Sequence, residues 1–197
     1  MEKQRCNWTK DDKLMNIYHD NEWGVAVHDD QKLFEYLVLD TFQAGLSWKT
    51  VLYKRENFRK AFDNFDYKKI ASYNEIKITE LLQNEGIIRN KLKIISTITN
   101  ARSFILVQEE FGSFDNYIWQ FVNYKTIINK WEKLTDLPAK TSESDAMSKD
   151  MTKRGFKFVG STICYAFMQA AGLVNDHIIS CFRYDEETQK NNNIKTI

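Results

Sequence analysis

With 197 residues, a net charge of +1 and 43% hydrophobic residues, the chain is apolar enough to bury a core and too evenly charged for a broad polyanion-binding surface. Intrinsic disorder is excluded as a class, and any nucleic-acid contact has to be a local patch. Seven glycines and a single proline, Pro138, are too few for the turns of a sheet protein, so the composition predicts an all-α chain.

In chain order, the start Met1-Glu2-Lys3-Gln4-Arg5 is polar and no apolar run follows it. No stretch approaches membrane-span length, and three cysteines cannot pair off completely, so the expectation is a soluble cytoplasmic protein. Asp29-Asp30 offers an N-cap to a helix whose apolar residues Leu33, Phe34, Leu37, Val38 and Phe42 recur at helical spacing. Ala44-Gly45-Leu46-Ser47 breaks it, and Ser47 caps the next helix through Val51, Leu52, Phe58 and Phe62. Further helices are predicted over 67–72, 77–84, 90–110 and 114–122. The weakest region is 123–141; helices resume from Ser142 to Arg154 and from Ser161 to Gly172. This organisation predicts one domain over 1–184, built as two intimate helical lobes, and a solvated, flexible tail over 185–197.

Four of the six cysteine and histidine residues form two short pairs at opposite ends of the chain: Cys6 with His19, and His177 with Cys181. A His and a Cys four apart share a face if their segment is helical. Two thiolates and two imidazoles make a complete tetrahedral zinc set with no position left for water, which would be structural and would pin the N-terminal arm to the last helix. The alternative is that both cysteines are small apolar residues and both histidines satisfy local hydrogen bonds; the spacing is not a finger motif.

The segment from Arg154 to Ala166 places Gly155 and Gly160 at the two ends of a short loop between helices, with Val159 before the second glycine. Gly155 suits a left-handed helix end. The amides of Gly160, Ser161 and Thr162 would open the next helix as an anion site for a DNA phosphate, with Lys153, Arg154 and Lys157 adding positive charge. An ordinary helical corner with a solvated basic end is the competing reading.

A third cluster is aromatic and acidic. Tyr18-His19-Asp20-Asn21-Glu22-Trp23-Gly24 is dense in stacking and hydrogen-bonding groups, and the 39–48 block sets Asp40 before a helix break and Trp48 after it. An aromatic face edged by a carboxylate suits a purine, which stacks and donates from its amino group. Trp23 and Trp48 could equally be core residues.

Together, the blocks at 18–24, Gln-Ala-Gly-Leu-Ser-Trp at 43–48, Gly-Ile-Ile-Arg-Asn at 86–90, Ser-Phe-Asp-Asn-Tyr-Ile-Trp at 113–119, 153–170, and Gly-Leu-Val-Asn-Asp-His at 172–177 resemble the DNA-3-methyladenine glycosylase I family from Cys6 to about Cys181. The resemblance implies a helix-hairpin-helix glycosylase with structural zinc on Cys6, His19, His177 and Cys181. It implies a base pocket of Tyr18, Trp48 and Asp40, with Trp8 and Trp23 nearby. The family usually carries Glu where this chain has Asp40, and Asp is one methylene shorter. Thr41 and Phe42 are expected to add bulk beside it.

The function implied is excision of N3-methyladenine from alkylated double-stranded DNA by a monomer, through hydrolysis of the N-glycosidic bond without strand cleavage. Asp40 would serve as a carboxylate recognising the cationic base. The alternatives are a zinc-stabilised, non-catalytic binder of alkylated or distorted DNA, and the same chemistry on another alkylated purine.

Overall fold

The structure, a computed structural model, describes residues 3–193. The first two residues of the polar start, Met1 and Glu2, and residues 194–197 of the expected tail lie outside the described residues.

Among the described residues, ten α-helices carry the fold, in the order α1 (Lys13–Asn21), α2 (Asp30–Gln43), α3 (Trp48–Ala61), α4 (Tyr67–Ala71), α5 (Glu75–Gln83), α6 (Lys91–Phe111), α7 (Phe114–Trp119), α8 (Ser142–Lys153), α9 (Ser161–Ala170) and α10 (Phe182–Asn193). The expected boundaries hold where a side chain caps the first turn. Asp29 accepts the Lys32 amide at 2.8 Å to open α2, and Ser47 accepts the Thr50 amide at 3.2 Å to open α3.

Every residue of α2 from Leu33 to Phe42 is buried, because α3, α6, α7 and α9 pack around it. Two carboxyls are therefore carried into the interior. Glu35 is paired with Arg59 at 2.6 Å, whereas Asp40 has no cation beside it.

The apolar interior falls into two clusters. The larger surrounds α2 and α6 with stacked rings such as Phe104 on Phe114, whose centroids lie 4.1 Å apart. The smaller joins Cys6, Met15, Tyr18, Trp23, Leu52, Ile178 and Cys181, and Trp48 packs against both.

Three features escaped the sequence reading. Helix α1 is only nine residues long and mostly polar, so its periodicity is weak, yet Asp12 caps it by accepting the Leu14 and Met15 amides at 3.1 Å. Within the weak 123–141 region, Ile127–Ile128 forms a two-residue parallel ladder with Val174–Asn175. From Asp185, the segment expected to be a solvated tail forms most of α10 over its described part. Buried Arg183 and Glu187 pair within that helix, and Asn175 donates to the Tyr184 carbonyl at 3.2 Å.

Among the described residues, no helix is long and apolar enough to cross a membrane. The segment entering α2 passes close behind α9: the Gly24 amide donates to the Gln169 carbonyl at 2.9 Å and the Val27 amide to the Ala171 carbonyl at 3.1 Å.

Gly172 makes this approach possible. It holds φ at +72°, and a Cβ there would lie 2.4 Å from the Val25 and Ala26 backbone. Gly172→Ala should lower stability by about 2–3 kcal/mol, since both the dihedral and the contact are incompatible with a side chain. Urea denaturation checks this, and an unchanged midpoint would contradict it.

Candidate active site and metal centre

The chain ends converge on one buried cluster. Cys6 precedes a short 3-10 turn in the N-terminal arm, His19 lies on α1, and His177 and Cys181 lie on the segment between the parallel ladder and α10. The last pair is therefore held by a loop rather than by a shared helical face. The ligands come together by tertiary packing, not by periodicity.

All four are buried, and their donor atoms lie within 4.8 Å of one another. Cys181 Sγ is 3.4 Å from His19 Nε2 and 3.6 Å from His177 Nδ1, and Cys6 Sγ is 3.7 Å from His177 Nδ1. Tetrahedral sulfur and nitrogen ligands at about 2.3 and 2.05 Å from a metal stand about 3.6 Å apart, so this set fits a four-coordinate ion.

The far ring nitrogens are also placed. His19 Nδ1 lies 2.8 Å from Asp20 Oδ1, and His177 Nε2 lies 3.1 Å from the Trp23 carbonyl. Each acceptor fixes its ring so that the other nitrogen faces the sulfurs, as metal-ligating imidazoles require. The hydrogen bond from Cys6, followed by those from His177 and His19, lowers the Cys181 thiol well below the ordinary thiol range, while the same contact raises Cys6. The cluster could thus hold a metal ion.

The cluster backs onto the pocket through aromatic rings. Trp23 packs edge-on against His177 at 4.7 Å between centroids, and Trp8 lies 5.4 Å from His19 and 5.2 Å from Trp23. Beyond them opens a cavity of about 720 Å³, whose lining includes Trp8, Tyr18, Trp23, Asp40 and Trp48. The five residues expected in a base pocket are therefore brought together. Tyr18 and Trp48 lie 5.0 Å apart at a tilt of 44°.

Asp40 is 2% exposed and its Oδ2 has no partner; the indole N–H groups of Trp8 and Trp48 are likewise buried and unpaired. All three residues line the same cavity. Burial alone pushes the Asp40 carboxyl well above the usual carboxylate range, which favours its protonated form. Burial, then nearby Asp40, also raises the Tyr18 phenol.

Thr41 and Phe42 do not crowd this cavity. Both are buried, and Phe42 turns into the core against Phe58, 4.7 Å away between centroids. Helical geometry sends consecutive side chains in different directions, so adjacency to Asp40 in sequence does not mean adjacency in the pocket.

Sequence reasoning missed Lys93. From α6, its ammonium donates to the Phe42 carbonyl at 2.7 Å and the Ala44 carbonyl at 2.6 Å, holding the end of α2 beneath the turn that leads to Trp48. Nothing in the sequence ties Lys93 to α2. Leu46, on that turn between pocket residues Gln43 and Trp48, is 42% exposed. An apolar residue inside a Gly-Ser turn was the available signal.

The hairpin forms as its glycines suggest. Gly155 ends α8 at φ +94°, with its amide on the Thr152 carbonyl and that of Phe156 on the Met151 carbonyl. Gly160 caps α9, and the amides of Gly160, Ser161 and Thr162 have no acceptor among the described residues. Buried Asn100 braces the loop through both Lys157 backbone groups, at 2.7 and 3.0 Å. Lys153 and Lys157 are exposed, but Arg154 is not free: it pairs with Glu110 at 2.6 Å and Asp150 at 2.7 Å.

A helical protein with a walled aromatic cavity, an uncompensated buried acid and a Cys2His2 cluster behind it defines the class: an aromatic-pocket protein with a group that could hold a metal. The sequence profile of the methyladenine glycosylase family matches residues 8–184, and the chain belongs to that family. DNA-3-methyladenine glycosylase 1 of Escherichia coli (strain K12) is 49% identical over 92% of this chain and 97% of its own length. A crystal structure of a 3-methyladenine DNA glycosylase I superposes with a TM-score of 0.87 at 52% identity, covering 91% of this chain and 98% of that one. A structure of the Staphylococcus aureus glycosylase, addressing its recognition of 3-methyladenine, superposes at 0.88 with 31% identity over 90% of this chain and 95% of that one.

Two outcomes are expected. Cys181→Ser should release bound metal, measured by atomic emission, and lower Tm by roughly 10 °C, because metal-binding energy here is also folding energy. Full metal content with an unchanged Tm would refute the four-ligand assignment.

The second concerns pH. The unfolded chain ionises Asp40 in the ordinary range near 4, whereas the folded chain keeps the proton. Stability is therefore full below about pH 4 and falls above it, by up to about 1.4 kcal/mol per pH unit. Asp40→Asn removes that loss, so it should be more stable than the parent protein at pH 7.5 and lose that advantage towards pH 4. Urea midpoints at the two pH values decide; a pH-independent difference would contradict the buried neutral acid.

Proposed function

We propose that this protein is a monofunctional DNA glycosylase that removes 3-methyladenine from alkylated double-stranded DNA by hydrolysing the N-glycosidic bond. It acts as a cytoplasmic monomer with a structural zinc on Cys6, His19, His177 and Cys181. The observation that carries the reading is the aromatic cavity lined by Trp8, Tyr18, Trp23, Asp40 and Trp48, in which Asp40 Oδ2 and the Trp8 and Trp48 N–H groups of the lining residues are buried and unpaired. The relatives' names supply the substrate class.

N3-methylated adenine in DNA carries positive charge and leaves as a neutral base, so little acid catalysis is needed. The free amides at Gly160, Ser161 and Thr162, with Lys153 and Lys157, hold a backbone phosphate and set the register. Arg154 takes no part in that contact, being paired within the protein. The lesion is flipped out, and Leu46 fills the space it leaves in the stack. In the cavity, Trp48 and Tyr18 stack against the base. The arriving cation favours ionisation of Asp40, and the ion pair forms out of water, where it counts most. Once the base leaves as a neutral molecule, that attraction is gone. Undamaged adenine never has it, so charge contributes to discrimination.

Zinc, if bound, is closed to water by four protein ligands and supplies structure rather than a nucleophile. Buried Lys93 donates to two carbonyls, and Lys49 at the cavity pairs with Asp12 at 2.7 Å. Neither is poised as a Schiff-base nucleophile. The short Asp40 side chain also suits a binder that does not cut.

The deciding assay is base release from methylated duplex DNA, with freed bases identified by mass spectrometry. The expected product is 3-methyladenine with unbroken strands. Asp40→Asn should slow release by about a hundredfold, while Leu46→Ala should slow release from DNA and spare free-base binding. No release by folded, metal-loaded protein would favour the non-catalytic binder.

A further inference from the structure

Asp176 is buried to 1% exposure, and no cation accompanies it. Its Oδ1 accepts Asn129 Nδ2 at 2.7 Å and Trp131 Nε1 at 2.8 Å. Its Oδ2 accepts the Tyr165 hydroxyl at 2.5 Å and Gln169 Nε2 at 2.7 Å. Four neutral donors thus surround one acceptor, drawn from α9 and from the segment after the first strand. The same two regions wall the cavity, through Ala166 and Gln169 on one side and Leu134 and Leu137 on the other.

The consequence falls on Gln169. A glutamine amide can face a neighbour with its NH₂ or with its oxygen, and a carboxylate accepts only the NH₂. Asp176 therefore fixes the amide's orientation. Gln169 Oε1 receives no hydrogen bond from any described residue, and Gln169 lines the cavity. Gln43, the other amide in the lining, has no such fixed partner among the described residues.

We propose that Gln169 is a specificity-determining residue: Asp176 pins its NH₂, so Oε1 is presented to the bound base as a fixed acceptor that selects a 6-aminopurine over a 6-oxopurine. The inference rests on the reading of the cavity as the base pocket. A purine amino group donates to that oxygen, whereas a 6-oxo group would set two acceptors against each other. A site built to accept a hydrogen bond rejects a ligand that cannot donate one, because its buried oxygen is left unpaired.

Asp176→Asn makes the idea sharply testable. The substituted carboxamide can keep its oxygen where Oδ1 now accepts Asn129 and Trp131, and place an NH₂ where Oδ2 now sits. Tyr165 then rotates to accept, and the Gln169 amide turns over to offer its oxygen to that NH₂ and its own NH₂ to the cavity. The pocket's polarity reverses with the number of hydrogen bonds unchanged, leaving the buried Tyr165 hydroxyl proton as the one unpaired donor. A purely structural role for Asp176 would weaken both classes of base alike.

The experiment titrates full-length, metal-loaded protein with free 3-methyladenine and free 3-methylhypoxanthine, read by tryptophan fluorescence. Metal content and Tm are measured for each variant. The parent protein should prefer 3-methyladenine. Asp176→Asn should move the preference by about tenfold or more toward 3-methylhypoxanthine. Gln169→Met, which keeps bulk and removes both polar atoms, should cost about tenfold for 3-methyladenine and shrink the preference; it carries the test if Asp176→Asn does not fold. An unchanged ratio in Gln169→Met overturns the inference while leaving the pocket standing. If the parent protein binds neither base, the pocket reading falls and takes this inference with it.

Discussion

The convergence of Cys6, His19, His177 and Cys181 is the constraint on which the rest of the site depends. It closes the N-terminal arm and α1 onto the segment before α10, joining parts of the chain some 170 residues apart. The imidazoles it orients are also packing surfaces. Trp23 lies edge-on against His177 and gives that ring its backbone acceptor, while Trp8 is wedged between His19 and Trp23. These indoles form the rear wall of the cavity. A loosened cluster would therefore reach the pocket through direct ring contacts, with no longer relay needed.

The front of the cavity is held by different means. Helix α2 runs buried through the larger apolar cluster and delivers Asp40 to the pocket without a counter-charge. Lys93 ties the last carbonyls of that helix and so steadies the turn bearing Leu46 and leading to Trp48. Glu35, one face away on the same helix, is neutralised by Arg59, as a buried structural carboxyl should be. In the proposed function, the contrast between these two acids marks Asp40 as the one that serves a ligand. An unpaired buried acid costs stability in the empty protein, and that cost is the counterpart of recognising a cation.

Much of this was legible in the chain. Capping residues and apolar spacing located α2, α3, α6 and α9, because the helices are amphipathic or begin at a side-chain cap. Residue chemistry proposed the Cys6, His19, His177, Cys181 cluster, and the family resemblance proposed the five pocket residues, before any geometry was known. What it could not supply were relations between distant segments. The His177–Cys181 pair looks like a helical face and is a loop; Arg154 looks like a free cation and is paired with Glu110 from α6. Thr41 and Phe42 flank Asp40 in sequence but belong to the core.

By itself, then, the sequence determined the helical class, the helix starts and the inventory of chemical groups, since capping, periodicity and side-chain chemistry are local properties. Only the tertiary structure decided what those groups are. Burial pushed the Asp40 carboxyl well above the usual carboxylate range, packing set two imidazoles at ligand distance from two sulfurs, and Asp176 holds the Gln169 amide by its NH₂. Each of these follows from the desolvation and hydrogen-bond partners a residue meets in space, which its neighbours in sequence do not specify.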